Sequence, residues 1–418
     1  MVAALSPHDG GAVDRRLRAR PPPSPAGAGD DVPFVGAAAG RVALQSDPRG
    51  GRRPFRPPGP LVRAPGVDRR PGRDADGIRQ GAPGSGSMSD GGDLDGMVVR
   101  RMHAGEIEAV RSFLAGHAPA GRPPHRPGWF EWQYVDNPDG CDVRVCYAGP
   151  RLVGASGFIP CTVIVDGVRR RAAFSTATMV APAFRRRGLG RAIHEARSAD
   201  YDVALSSGQS EANAQVYRSI GAVAAGAYRQ CLAQTRAPRV RPRPRVAREV
   251  LSWLRWRMSA RSFAGLDVRI EDDPPDVPDH CYARRFDERA IGPVWTPEHV
   301  VWRYARHPYL DYRFATVLRG RERLGFAVLR PNARGHALVD LYAPRAVQPA
   351  VLRAVARAAG PVSGQFTGAS LDRVFRAAGW TTWRASHRLV GKSNDPELHR
   401  ALTERSWCFF GGDSDADR

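Results

Sequence analysis

The stretch that decides the reading is Phe174–Gly221, FSTATMVAPAFRRRGLGRAIHEARSADYDVALSSGQSEANAQVYRSIG. It opens within a run suited to a strand, Ala172 to Val180, which Ala181-Pro182 stops because proline cannot donate to a sheet ladder. Arg185-Arg186-Arg187-Gly188-Leu189-Gly190 comes next, and then a helix-forming segment, Arg191 to Ala199. A glycine-punctuated turn between a strand and a helix start aims several free backbone N–H groups in one direction, with the helix dipole behind them. Such a turn is an anion site suited to a phosphate or pyrophosphate. Gly188 and Gly190 lack a Cβ, so the backbone can come close to a ligand, and the arginines add positive charge at the rim. A short Gly-x-Gly alone is a weak signal, since ordinary strand-to-helix turns carry it too.

The residues C-terminal to the turn strengthen that signal. Tyr201 to Ser207 reads as a second strand and Ser210 to Ile220 as a second helix, with Tyr217 four residues before Gly221. The order strand, Val-x-Pro, Arg-x-x-Gly-x-Gly, helix, strand, helix with Tyr-x-x-x-Gly resembles the acyl-CoA-binding half of the GNAT N-acetyltransferase superfamily. That resemblance implies acetyl-CoA as co-substrate and an amine-bearing small molecule or sugar as acceptor. It implies that the turn, Arg185, Arg186, Arg187, Gly188, Leu189, Gly190 and Arg191, holds the CoA pyrophosphate. The pantetheine would lie between strands splayed around Thr176 to Val180 and Val203 to Ser206. A strand N–H near Met179 or Val180 would bond the thioester oxygen, and Tyr217 would protonate the departing thiolate. An aminoacyl transferase of cell-wall precursors and a non-catalytic CoA-binding scaffold are the competing readings. The first predicts no CoA site, which the turn argues against.

The chain appends more than one such unit. At 418 residues it has room for two domains and a tail. Residues 1–96 are rich in Gly and Pro, lack Trp, Tyr and Cys, and have Phe34 and Phe55 as their only aromatics. No periodic apolar pattern there can offset the ordering entropy, so the reading is a disordered tail, or an over-extended start with Met88 or Met97 as the real beginning. Arg15 to Arg20 interrupts any apolar run near the N-terminus, which excludes a signal-peptide core. Nothing approaches the roughly 18 apolar residues of a membrane span. The formal charge is +21, yet Lys392 is the only lysine. Arginine alongside heavy Ala, Gly and Pro usage matches the codon bias of a GC-rich genome, so no nucleic-acid partner is expected, although acidic ligands such as CoA are welcome. The six cysteines show no Cys-x-x-Cys spacing, hence no metal site, no disulfide framework and a cytoplasmic location are expected.

Two segments recur in the same order. Trp132-Gln-Tyr134-Val-Asp-Asn-Pro138 is echoed by Trp302-Arg-Tyr304-Ala-Arg-His-Pro308, each leading into a strand, Asp142 to Ala148 and Tyr312 to Leu318. Ser207-Gly208-Gln209 with Tyr217-Arg-Ser-Ile-Gly221 is echoed by Ser363-Gly364-Gln365 with Phe375-Arg-Ala-Ala-Gly379. The expected fold is therefore α/β (α+β), two tandem GNAT-like units, each a mixed, mostly antiparallel twisted sheet flanked by helices. Residues 97–235 form the catalytic unit, 236–262 a basic linker and helix, and 263–418 a degenerate unit. Between the strand Ala337 to Tyr342 and the helix Ala346 to Ala358 the second copy has only Ala343-Pro344-Arg345, so the phosphate-cradling turn is gone, and Phe375 stands where Tyr217 does. Val246 to Phe263 is amphipathic with Trp253 and Trp256 near arginines, which suits either a helix docked across the junction or a membrane surface.

A base is harder to find. Phe174 to Val180 carries no acidic residue, and the nearby titratable groups are Glu131, Glu195, Glu211 and His194; of these His194 and Glu195 are placed to face solvent or packing. Ser210, not Asn213, falls seven residues before the tyrosine, where the family often has asparagine.

Overall fold

Among the described residues thirteen strands hydrogen-bond into one continuous sheet, and their order shows how the two copies are joined. The computed structural model describes residues 96–237, 246–259, 265–283, 285–287 and 289–413. Apart from Gly96, the tail of residues 1–96 lies outside the described residues, as does most of the Pro-Arg linker.

The first copy runs β1 (Met97–Arg101), α1 (Ile107–His117), β2 (Asp142–Ala148), β3 (Arg151–Val165), β4 (Val168–Val180), α2 (Leu189–Asp200), β5 (Val203–Ser207), α3 (Glu211–Ser219) and β6 (Val223–Ala233). A bridging helix, α4 (Val246–Met258), leads to β7 (Asp267–Glu271), α5 (His280–Ala283), β8 (Gly292–Val294) and α6 (Pro297–Val300). Then come β9 (Arg313–Arg319), β10 (Glu322–Asn332), β11 (Gly335–Tyr342), α7 (Gln348–Ala359), β12 (Val362–Thr367), α8 (Ala369–Ala377), β13 (Thr381–Lys392) and α9 (Pro396–Glu404). The order β2-β3-β4-α2-β5-α3-β6 thus recurs as β9-β10-β11-α7-β12-α8-β13.

Local chemistry explains the punctuation. Asp166 and Gly167 join β3 to β4 with φ of 49° and 79°, the left-handed pair that a two-residue hairpin needs. Ser210 caps α3, its Oγ accepting from Asn213 N at 3.3 Å. At the other end Gly221 N donates to Arg218 O and Ala222 N to Tyr217 O, a Schellman closure that needs the left-handed φ of 77° at Gly221. Gly379 N and Trp380 N close α8 on Arg376 O and Phe375 O in the same way. The glycine of the repeated Tyr/Phe-x-x-x-Gly is therefore a helix stop.

The sheet order is β1-β2-β3-β4-β5-β13-β6-β12-β11-β10-β9-β7, with β8 paired to β3. β6 does not pair with β5 of its own copy. It runs antiparallel to β12, from Val362↔Ala233 to Thr367↔Tyr228. β13 makes the reverse crossing onto β5, from Leu389↔Ser207 to Lys392↔Ala204. The exchanged strands then pair with each other from Thr381↔Leu232 to Gly391↔Val223. Each copy completes its sheet with a strand of the other.

A second contact has the same two-fold character. Trp132 and Trp302 each sit in a π-helical turn, Glu131–Val135 and Val301–Ala305. Trp132 Nε1 donates to Trp302 O at 2.8 Å and Trp302 Nε1 to Trp132 O at 2.7 Å, and the rings stack with centroids 5.3 Å apart. The wide π turn frees a backbone carbonyl for the partner's indole. Each bond adds about 1 kcal/mol net to the apolar contact. The bridging helix α4 docks beside β6: Ser252 Oγ donates to Leu232 O at 2.9 Å, and the Arg353 guanidinium of α7 lies 4.2 Å from the Trp256 ring.

Candidate functional site

The parallel ladder between β4 and β5 has only three pairs, Ala172↔Val203, Ala173↔Ala204 and Phe174↔Leu205. Beyond them the strands part, and Ser175 to Val180 has no ladder partner on that side. β4 is also bulged here. Gly157↔Thr176 is followed by Ala155↔Met179, so β4 carries one residue more than β3, and Ala177 takes a φ of 41°. A non-glycine residue held there marks backbone strain, which concentrates at ligand sites. The bulge is braced from behind. Thr176 Oγ1 donates to Gly157 O at 3.1 Å, which leaves Tyr134 OH to donate to Thr176 Oγ1 at 2.7 Å. A Cβ at Gly157 would lie 2.1 Å from the Tyr134 hydroxyl, so only glycine lets that brace form.

The gap opens into a cleft of about 630 Å³ whose wall includes Thr176 to Met179, Ser206 to Ser210 and Asn213. Its wall also includes Gly121 to Pro124, Arg126 and Trp129 of the loop after α1, together with Tyr309 and Leu310 of the second copy. Neither of these last two segments was marked by the sequence, because nothing local ties them to β4.

The turn lies just past the end of β4. Arg185 Nε bonds Val180 O at 3.1 Å and folds the turn back on the strand. Arg186 and Gly188 both have left-handed backbones, φ 61° and 84°, and Gly188 caps α2 with no side-chain acceptor for its first amides. Successive left-handed and right-handed residues aim neighbouring N–H groups into one concavity, which is a nest for an anion. Arg185, Arg186, Arg187, Gly188 and Arg191 lie at the surface, whereas Leu189 turns inward and is 2% exposed. Arg187 lies over the Phe184 ring and Arg191 pairs with Glu195 at 2.9 Å. Of the expected contact residues Met179 lines the cleft, while Val180 and the turn lie just past it.

Tyr217 is only 2% exposed and is not on the cleft wall. Its hydroxyl lies 3.3 Å from His194 Nδ1. His194 is fully buried, and burial together with the charge of Arg197 pushes its pKa down to about 3, so the ring is neutral. Arg197 is buried too; it donates to Leu205 O at 3.2 Å and faces the Phe158 and Tyr217 rings. The sequence left His194 between solvent and packing, and packing is what the fold chooses. The other candidate bases are engaged elsewhere: Glu131 with Arg111, Glu195 with Arg191, and Glu211 with Arg218. Among the described residues no Asp, Glu or His lines the cleft.

Residues 99–224 match the acetyltransferase (GNAT) domain family. These residues are a GNAT domain. The fold agrees with solved structures at low identity. A probable N-acyltransferase of unknown function from Enterococcus faecalis V583 is 13% identical, with 71% of this chain and 72% of that one covered and a TM-score of 0.50. A GCN5-related N-acetyltransferase from Anabaena variabilis gives 14%, 71%, 72% and 0.48, and a tandem GNAT protein from the clavulanic acid biosynthesis pathway 15%, 72%, 99% and 0.39. No curated protein matches the chain.

The second GNAT-like copy has the same parting of strands but nothing like the same opening. β11 and β12 also pair over three residues, His336↔Val362 to Leu338↔Gly364. The gap beyond is filled by the chain's own Trp407–Asp413, every residue of which is buried. Thr367 N donates to Phe409 O at 2.8 Å, Phe409 N to Thr367 Oγ1 at 3.0 Å, and Phe366 bridges Phe410. On the other side Cys408 N bonds Ile291 O at 2.8 Å. Phe375, the counterpart of Tyr217, is stacked on Phe366 at 4.4 Å and touches Phe410. Asp413 anchors the end of this plug, accepting from Trp295 Nε1 at 2.5 Å and Phe410 N at 2.6 Å, beside the buried Arg285–Asp340 pair. Among the described residues no cluster of three metal-ligating side chains occurs, and no helix is long and apolar enough to cross a membrane.

Proposed function

We propose that the chain is an acetyl-CoA-dependent N-acetyltransferase that acetylates a primary amine of a small molecule or sugar by direct attack in a ternary complex. The observation that carries this reading is the open β4–β5 gap with the anion nest at its end, in a domain of the GNAT family. The amides of Arg186 to Gly190 hold the pyrophosphate, with Arg185, Arg187 and Arg191 around it. The free edge of β4 receives the pantetheine.

Holding thioester and amine in line is worth up to about 7–11 kcal/mol. The amine attacks the carbonyl carbon, the C–N bond forms, and an N–H of Met179 or Val180 stabilises the oxyanion, a contribution of about 3–4 kcal/mol for a single donor. As the intermediate collapses the C–S bond breaks and the thiolate takes a proton from water, which Tyr217 resupplies from behind the cleft wall, its hydroxyl oriented by neutral His194. With no carboxylate or imidazole on the described cleft wall, the ammonium proton leaves through water. The catalytic unit is residues 97–235 and the degenerate one 263–418, joined by 236–262. Six unpaired cysteines fit a reducing compartment, which is the cytoplasm.

The test is CoA release followed with a thiol reagent across a panel of amines, alongside calorimetry with acetyl-CoA. At least one amine is expected to accelerate release. Gly188→Val is expected to weaken acetyl-CoA binding at least tenfold while the far-ultraviolet spectrum stays native, because a side chain at φ 84° distorts the nest but meets no neighbour within 4 Å. Acetyl-CoA that neither binds nor turns over with any amine would overturn the reading.

A further inference from the structure

The walls of the open cleft have a one-sided chemistry. Among the described residues Arg122 and Arg126 are the only charged side chains on them, and no carboxylate faces them. Neither arginine makes an ion pair or a side-chain hydrogen bond within the described residues. Arg126 is held by its stacking on Tyr309 of the second copy, 4.9 Å from guanidinium to ring centre. Trp129 and Gln209 line the same walls, with Trp129 Nε1 and Gln209 Nε2 buried and without a partner among the described residues. With two unpaired guanidiniums and no carboxylate, the walls suit a ligand that brings its own acceptors. Guanidinium groups match carboxylate and phosphate oxygens in charge and in planar geometry.

We infer that the acceptor is an anionic amine, a molecule carrying a phosphate or carboxylate near the amino group, which Arg122 and Arg126 bind. This inference rests on the acyltransferase reading above and names its substrate class. It also gives the second copy a task, since Tyr309 orients one of the two arginines. A polycationic amine is disfavoured at the same walls, because two like charges meet it and no carboxylate compensates.

The position of the arginines argues against a role for acetyl-CoA. They line the cleft from the loop between Gly121 and Trp129, whereas the turn at 185–190, with the anion nest, is not among the residues that line it. One molecule has its phosphates at the nest and the other presents its anion to the loop, so the two reactants meet between them.

The experiment uses the full chain and two readouts. Turnover with acetyl-CoA is compared for glucosamine 6-phosphate, glucosamine and the polycation kanamycin, and then for amino acids against their decarboxylated amines, which separates phosphate from carboxylate. Binding of the same probes is measured by calorimetry without acetyl-CoA. The anionic member of a pair is expected to show a KM at least tenfold lower. Arg122→Gln with Arg126→Gln should raise that KM tenfold or more and leave the acetyl-CoA Kd unchanged, and Arg126→Lys should recover part of it.

Equal KM values for charged and uncharged partners, or arginine variants that weaken acetyl-CoA instead, would overturn the inference while the acyltransferase reading stood. Binding of an anionic probe that depends on both arginines, with no turnover of any amine, would uphold the anion site and sink acyl transfer. Binding of no anionic probe by either readout overturns the inference.

Discussion

Two gaps between parallel strands, one in each copy, start from the same three-pair ladder and end in opposite states. Between β4 and β5 the gap is open, its bulged edge is strained and an anion nest lies at its end. Between β11 and β12 the gap holds Trp407–Asp413, and the chain passes from strand to helix through Ala343-Pro344-Arg345-Ala346-Val347, two residues longer than the sequence suggested and with no glycine. A splayed sheet leaves strand edges and apolar side chains that must be covered. The open gap leaves its β4 edge uncovered by the described chain. The second copy covers its gap with its own chain, hydrogen-bonded between Thr367 and Phe409. The difference teaches that a splayed gap can be covered from within the chain. The second copy, its gap filled, contributes Tyr309 and Leu310 to the wall of the open cleft.

The comparison can be broken most directly by removing the plug. A chain stopped after Ser406 loses buried Trp407, Phe409 and Phe410, at about 3–5 kcal/mol for each large aromatic. That is comparable to the whole stability of a typical domain, about 5–15 kcal/mol. The expected outcome is insoluble or non-cooperatively melting protein, checked by circular dichroism. A truncated chain that melts normally and binds two equivalents of acetyl-CoA would show that the plug alone separates the two copies.

Exchanging the paired aromatics is a finer cut. Tyr217→Phe is expected to lower kcat by about 10², within the range for loss of a general acid, with acetyl-CoA affinity near wild type. The deficit should shrink at low pH, where solvent can protonate the thiolate. Phe375→Tyr should confer no activity and cost about 1–3 kcal/mol in thermal melts, because its hydroxyl would be buried against Phe366 and Phe410 without a partner. Unchanged turnover in Tyr217→Phe at every pH would remove Tyr217 from the mechanism.

The plug also has a pH dependence that the open gap lacks. Asp413 is pushed up to about 7, first by burial and then by the charge of Asp340, against the pull of Arg285. A carboxyl whose folded pKa is raised adds stability that is complete below its unfolded value near 4 and is lost as pH climbs through about 7. Between pH 5 and 8 the folded state releases that proton and loses this stability. The melting temperature is expected to fall over that interval, and Asp413→Asn should flatten the slope. A melting temperature that rises from pH 5 to 8 would mean that Arg285 holds both carboxylates charged.

Much of this is legible in the chain itself. Gly188 and Gly221 sit where a left-handed residue is needed, and glycine is cheap there, so turn and helix stop can be read directly. The strand limits differ by a few residues: β4 begins at Val168 rather than Ala172, because Arg169 to Arg171 extend a hairpin arm whose polarity hides its pairing. The bridging helix ends at Met258, short of Phe263. His194 could not be read as buried, since its burial depends on α3 lying across α2. The strand exchange was equally hidden, because nothing along β6 or β13 names the strand it pairs with. The tail Trp407-Cys-Phe-Phe410 announces that it is buried, but nothing in it says where.

The sequence by itself determined what depends on neighbours along the chain: the nest, the caps, the repeat of Trp132 in Trp302, the missing turn of the second copy and the loss of a hydroxyl at Phe375. Only the tertiary structure decided what depends on residues far apart in the chain. That holds for the exchange of β6 and β13, the plug in the second gap, the pairing of His194 with Tyr217, and the meeting of Arg126 with Tyr309 at the cleft mouth. The physical reason is that φ/ψ preference and helix capping are fixed within a few residues, whereas burial and strand partnership are settled by competition among all the apolar surfaces and free edges that the whole chain brings together.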